Sequence, residues 1–282
     1  MLEHAVISGF ADEIDGNTDR QIAVLEKLGI GCVEFRSGDG KGVADYTLEE
    51  AKRLKEKLDA HGLSVSAVGS PIGKINITDP FEPHLEKLRH VAQLAHIWDT
   101  PYIRMFSFFI PEGQEPETYR DEVMRRMEAM VACARREEVV LLHENEKDIY
   151  GDTASRCLDL MKNFYGEHFR CTFDFANFVQ CRQDTMEAYE MLKPYIEYVH
   201  IKDAVWDTGE VVPAGQGDGK VEAILGLLDQ TGYRGYLSLE PHLAEFQGLK
   251  ELEKNAAQRK MSDGEKAYTM AWNALKVILG RQ

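Results

Sequence analysis

Four polar residues close four apolar runs in the second half of this chain. Glu144 ends "VVLLHEN", Asp174 sits in "CTFDFAN", His200 in "YVHIKD" and Glu240 in "YLSLEPH". A carboxylate drawn out of water is costly unless a partner compensates it, so such groups at buried strand ends ask for a reason. Brought together, three carboxylates and one imidazole would be mutually repulsive without a cation. With a divalent metal they form an oxygen-rich ligand set carrying one nitrogen, which suits Mn2+, Mg2+ or Co2+ better than a thiolate-favouring ion. The expected cofactor is one divalent metal ion, Mn2+ first, with Mg2+, Co2+ or Zn2+ as alternatives.

The four runs meet only if the chain closes on itself. Eight stretches read as strands: "HAVISGF" (4–10), "CVEFRS" (32–37), "LSVSAVGS" (63–70), "YIRMFSF" (102–108), "VVLLHEN" (139–145), "CTFDFAN" (171–177), "YVHIKD" (198–203) and "YLSLEPH" (236–242). Several are near-continuously hydrophobic, as in parallel strands covered on both faces. An amphipathic stretch follows each one. In "NTDRQIAVLEKLGI" the residues Ile22, Leu25 and Leu28 recur at helical spacing, and Gly29 stands where a C-cap belongs. Thr47 and Glu50 form a capping-box pair, and Tyr268, Trp272 and Leu275 give the last helix a core face.

Strand then helix, eight times in 282 residues, predicts a single α/β domain over residues 1–282: a (β/α)8 TIM barrel. That fold typically takes roughly 250 residues and carries its active site at the C-terminal strand ends. The first strand runs into "GFADEI" without the glycine fingerprint of a dinucleotide-binding sheet. Because side chains alternate along a strand, Leu142 shares a face with Glu144, Thr172 with Asp174, Tyr198 with His200 and Ser238 with Glu240. All four polar groups then point into one barrel mouth.

A net charge of −15 argues against nucleic-acid phosphates and anionic membrane surfaces as partners, though a local pocket can still be basic. Five cysteines without a C-x-x-C pair, no apolar leader and no run long enough to cross a bilayer lead us to expect a cytoplasmic protein with reduced thiols. "AGQGDGKV" (214–221) fails as a phosphate loop, since Ala214 and Val221 replace the required glycine and hydroxyl residue. It reads as a loop entering a helix, and "KELEKNAAQRK" (250–260) as a solvated charged segment.

The strand ends "HEN", "FDFAN", "VHIKD" and "LEPH", at steps of 30, 26 and 40 residues (144 to 174 to 200 to 240), resemble those of the xylose isomerase-like barrel superfamily, the sugar phosphate isomerase/epimerase group. The resemblance covers essentially the whole chain. It implies proton transfer on a small carbohydrate substrate, with the metal on Glu144, Asp174, His200 and Glu240. Glu144 and Glu240 would be the catalytic pair that removes and returns a proton beside a carbonyl. Dimers or tetramers are frequent in the superfamily, so a homo-oligomer is implied. Two positions depart from its ketose 3-epimerases, where a His stands at Asn177 and an Arg at Trp206. Its nuclease branch needs further histidines that are absent here.

Other polar residues are substrate-binding candidates. Glu34 and Arg36 alternate at the end of the second strand, as an ion pair or as contacts for substrate hydroxyls. Lys74 and Arg104 suit a substrate oxygen or phosphate, Phe106 and Phe108 an apolar wall, and Asn177 takes the place of a substrate-handling residue. Lys202 and His242 each follow a ligand by two residues. Either would serve as the extra acid/base of the alternative reading, a keto-inositol dehydratase/isomerase or a C-glycoside-cleaving lyase. A non-catalytic sugar-binding barrel is the third reading. His143, of opposite parity to Glu144, is expected to face a helix or loop.

Overall fold

The computed structural model describes residues 1–243 and 262–281, so the 250–260 segment lies outside the described residues. Eight barrel strands are β1 (Val6–Gly9), β2 (Cys32–Phe35), β3 (Ser64–Gly69), β4 (Tyr102–Met105), β5 (Val140–Glu144), β6 (Phe169–Asp174), β7 (Ile196–Ile201) and β8 (Tyr236–Leu239). They pair in parallel in the order β1–β8–β7–β6–β5–β4–β3–β2, and β1 packs beside β2 to make a nearly closed TIM barrel. Around it lie α1 (Thr18–Leu28), α2 (Leu48–Ala60), α3 (Glu82–Ile97), α4 (Arg120–Arg136), α5 (Ala154–Phe164), α6 (Phe175–Gln180), α7 (Thr185–Leu192), α8 (Val221–Gln230) and α9 (Asp263–Leu279). No helix among the described residues is long and apolar enough to cross a membrane.

Local chemistry sets these boundaries. Gly29 ends α1 in the left-handed region at φ 71°, and the Thr47/Glu50 capping box starts α2 with both reciprocal bonds present. Several strands are shorter than the sequence reading, among them 102–108, which ends at Met105, and one ending bears on the site. Residues 175–177, taken there as strand, form the first turn of α6, because Asp174 Oδ1 accepts the Asn177 N–H at 2.7 Å and caps a helix. Stopping β6 at Asp174 leaves its carboxylate at the mouth.

Inside the barrel the side chains lie in layers. Leu142, Ala67 and Tyr198 fill the lower layer, with Tyr198 stacked on Tyr236 at 5.3 Å between ring centroids. Ser66, next to Ala67 on β3, bonds both Ser8 and the Tyr198 hydroxyl. Ser8 and Ser238 are level in register with His200, so these hydroxyls border the charged groups. The opposite strand faces, with Ile103, Met105, Leu141, Val199 and Leu239, are buried against the helices together with Tyr268, Trp272 and Leu275 of α9.

Three features fasten the mouth loops. The loop 214–221 wraps the chain's own anion: Gly215, Gly217 and Gly219 donate backbone N–H bonds of 2.8–3.1 Å to the Asp203 carboxylate. Gly73, at φ 89°, crosses so close to Phe106 that a Cβ would stand 2.0 Å from its carbonyl oxygen. Its N–H bonds His84 Nε2 at 2.7 Å. His143 faces outward to Ser107 at 3.0 Å, as its parity requires, and burial pushes its pKa down to about 4.

Two stability predictions follow from these loops. Gly73→Ala should cost roughly 3 kcal/mol or more in denaturant unfolding, since strain adds to a backbone clash. Gly113→Ala, also at positive φ but with nothing within 4 Å of a Cβ, should cost only about 1 kcal/mol. The second prediction concerns pH. A histidine with a folded pKa of about 4 leaves the unfolded chain binding more protons between there and its ordinary value of about 6.5. Stability should therefore fall as pH drops through that window, and His143→Gln should flatten the slope between pH ~7 and ~5.

Candidate metal centre and active site

Glu144, Asp174, His200 and Glu240 converge as their parity requires. Each offers one ligand atom, all within 4.8 Å of one another, and all four side chains are buried. His200 Nδ1 lies 3.0 Å from Glu144 Oε1, 3.7 Å from Glu240 Oε2 and 3.9 Å from Asp174 Oδ2. Adjacent registers bring them together: Asp174 is level with His200 on β6 and β7, and Ser238, two residues before Glu240, is level with His200 on β8. Both register shifts in the barrel, at Val33/Glu34 and Cys171/Thr172, fall in this region.

The donor set fits a divalent cation. Asp174 spends Oδ1 on the α6 cap, while its buried Oδ2 accepts no hydrogen bond, although the Lys202 ammonium stands 3.1 Å from it. Burial, reinforced by Glu240 and Glu144, raises the Asp174 pKa to about 8. Glu144 goes the other way. Against the cost of burial, His200 and Arg104 hold it down to about 2. Glu240 is likewise held ionised against burial, by Lys202, His200, His242 and Arg36. Glu144 and Glu34 keep the His200 imidazole protonated despite its burial.

The other sequence candidates divide into two groups. Glu34, fully buried, spends its carboxylate on His200 Nε2 at 3.1 Å and on the Ser238 hydroxyl at 2.6 Å. Its carboxylate therefore stands behind the imidazole, and it makes no ion pair with Arg36. Asn177 is also turned inward, donating Nδ2–H to Glu144 Oε1 at 3.2 Å and to the Asn145 carbonyl at 2.8 Å. Arg104 donates to Glu144 Oε2 at 3.0 Å, and Lys202 to Glu240 Oε2 at 2.8 Å.

A cavity of about 410 Å³ opens over this cluster, lined among others by Glu240, Arg104, Lys74, Phe106 and His242. Lys74 sits 4.2 Å over the Phe106 ring and pairs with Glu146 at 3.1 Å. Phe108 instead packs against Phe81 and His84, away from this cavity. His242 lies at the rim, 3.4 Å from Glu240 and 3.2 Å from Glu13.

Sequence reasoning named Arg36 but overlooked its partners Asp12 and Glu13 and the ring of Phe10. Arg36 pairs with Asp12 at 2.8 Å, Glu13 at 3.3 Å and Glu240 at 3.3 Å, with its guanidinium 4.4 Å over Phe10. Phe10 meets the His200 ring edge-on at 5.2 Å. The signal was present: "GFADEI" places Asp12 and Glu13 directly after the first strand, the address used to pick out the other ligands.

Fold and site together define a TIM barrel with three carboxylates and an imidazole gathered at its C-terminal mouth. The chain belongs to the xylose isomerase-like TIM barrel family, whose model matches residues 22–261. The 3-dehydroshikimate dehydratase of Bacillus anthracis is 22% identical over 159 residues, 56% of this chain, and the chain spans about half (55%) of that relative's length. L-ribulose 3-epimerase superposes with a TM-score of 0.71 at 17% identity, covering 98% of this chain and 95% of that one. The IOLI protein, solved with a zinc atom, gives a TM-score of 0.75 at 14% identity with 98% of each chain covered. At these identities the structural likeness is one of fold.

The position of Glu34 generates a third prediction. A carboxylate that accepts from the far nitrogen of a ligating imidazole fixes its tautomer and orientation, and losing one typically costs 10–100-fold in metal affinity. Glu34→Gln should weaken Mn2+ binding by about that factor in titration calorimetry while the barrel stays folded. Unchanged affinity would separate Glu34 from the metal centre.

Proposed function

We propose that the protein is a metal-dependent isomerase or epimerase acting on a sugar or sugar derivative. The observation that carries this reading is the ligand-atom cluster of Glu144, Asp174, His200 and Glu240 below a cavity that Glu240 itself lines. These four residues would hold one divalent cation, with Mn2+ the first choice and Zn2+, Mg2+ and Co2+ the alternatives. When bound, the ion supplies a Lewis acid that acidifies the carbon beside a carbonyl.

The chain's own groups supply the rest. Glu240, held ionised at the cavity wall, is placed to take a proton from that carbon. Glu144 is the second carboxylate, its two oxygens oriented by Arg104 and Asn177. Delivery to the opposite face of the same carbon gives epimerisation. Return of the proton to the neighbouring carbon gives isomerisation. Arg104, Lys74 and His242 border the space in which substrate oxygens would lie.

One contact favours a second reading. The Lys202 ammonium lies 2.8 Å from Glu240, so an acid stands directly beside the base. After Glu240 removes the proton next to a carbonyl, Lys202 could protonate a hydroxyl on the adjoining carbon, which leaves as water and gives an unsaturated carbonyl product. Similarity to the Bacillus anthracis dehydratase supports this dehydratase alternative.

The deciding experiment is hydrogen exchange. Mn2+-loaded protein is incubated in D2O with ketoses, ketose phosphates and keto-inositols and followed by proton NMR. Deuterium at a carbon beside the carbonyl is the expected result, with a mass-neutral product for the first reading and loss of water for the second. Glu240→Gln should slow exchange at least ~100-fold. Full exchange in that variant would remove Glu240 as the base, and a chelator-insensitive reaction would remove the metal.

A further inference from the structure

Lys202 is buried and inward-facing, and its ammonium touches two carboxylates, Glu240 Oε2 at 2.8 Å and Asp174 Oδ2 at 3.1 Å. Those two oxygens are also the ones that lie nearest His200 Nδ1 on their residues, at 3.7 and 3.9 Å. A cation placed among the four ligand atoms must therefore share both oxygens with a positive charge already seated on them. The two nearby guanidiniums do not overlap in this way. Arg36 approaches Glu240 through its other oxygen, Oε1, and Arg104 approaches Glu144 through Oε2, while His200 Nδ1 faces Oε1 of Glu144.

We propose that Lys202 is a built-in counter-cation that competes with the metal for Asp174 Oδ2 and Glu240 Oε2, so that metal binding turns the ammonium out toward the cavity. Two consequences follow. The carboxylates stay compensated and the cluster stays assembled without the metal, because an ammonium takes up part of their charge. The metal also binds less tightly than its ligand set alone would allow, since like charges a few ångströms apart in a buried site repel strongly. A Lys202 displaced in this way presents its N–H groups to whatever oxygen lies in the cavity. Metal loading thereby comes before strong binding of an oxygen-rich ligand, and the two binding events reinforce each other.

The test compares Mn2+ affinity, by titration calorimetry, in the wild-type protein and in Lys202→Met, with thermal unfolding of both in chelator. The expected result is tighter Mn2+ binding in the variant by about tenfold or more, together with a lower Tm in chelator. Damage to the fold alone would weaken metal binding, so tightening separates competition from a structural role. Should Lys202→Met fail to fold, Lys202→Gln, neutral and still a hydrogen-bond donor, carries the same comparison. Equal or weaker Mn2+ binding in the folded variant overturns the proposal. An absence of Mn2+ binding in both proteins overturns the metal centre itself.

Discussion

The mouth of this barrel rests on one constraint: four carboxylates share a nearly solvent-free space and each must be compensated. Glu34, Glu144, Asp174 and Glu240 are all at most 3% exposed. Isolated charges at such depth would cost several kcal/mol each. Arg104, His200, Lys202 and Arg36 meet that cost, and their placement accounts for much of the surrounding architecture. The hydroxyls of Ser8, Ser66, Tyr198 and Ser238 extend this network, with Ser238 donating to Glu34.

Compensation is uneven, and the unevenness is informative. Glu144 is held on both oxygens by a guanidinium, an imidazole and an amide, and it stays ionised. Glu240 is held by longer contacts to Arg36 and His242 and a close one to Lys202, on the side that opens to the cavity. Asp174 is the least satisfied, with one buried oxygen free of hydrogen bonds. A carboxylate held on both oxygens, an accessible carboxylate and an under-satisfied one form a graded set around a single imidazole.

The rim carries a second pattern. Arg36, Phe10, Arg104, Phe106 and Lys74 alternate cation and ring at 4.2–5.2 Å per step, and all but the buried Phe10 line the cavity. Stacking on a ring holds a long cationic side chain in place while its N–H groups remain available. Here those N–H groups meet carboxylates: Arg36 pairs with Asp12, Glu13 and Glu240, Arg104 with Glu144 and Lys74 with Glu146.

Much of this was readable from periodicity alone. Eight apolar runs with helices between them specify a barrel, and two-residue alternation places Glu144, Asp174, His200 and Glu240 on its inner face without any distance information. His143 could be turned outward by the same rule. What the linear chain withheld was pairing. Glu34 reads as a neighbour of Arg36 in "VEFRS", yet the barrel sets it behind His200, 166 residues on, because β2 and β7 face the same interior. Arg36 finds Asp12, Glu13 and Glu240 instead. The loop at 214–221 was already excluded as a phosphate loop by Ala214 and Val221, but that its glycines cradle Asp203 was not legible. Alternation and length are local properties, so the sequence determined the fold and the inward-facing set. Which cation meets which carboxylate depends on strand order and register, and only the closed barrel decided that.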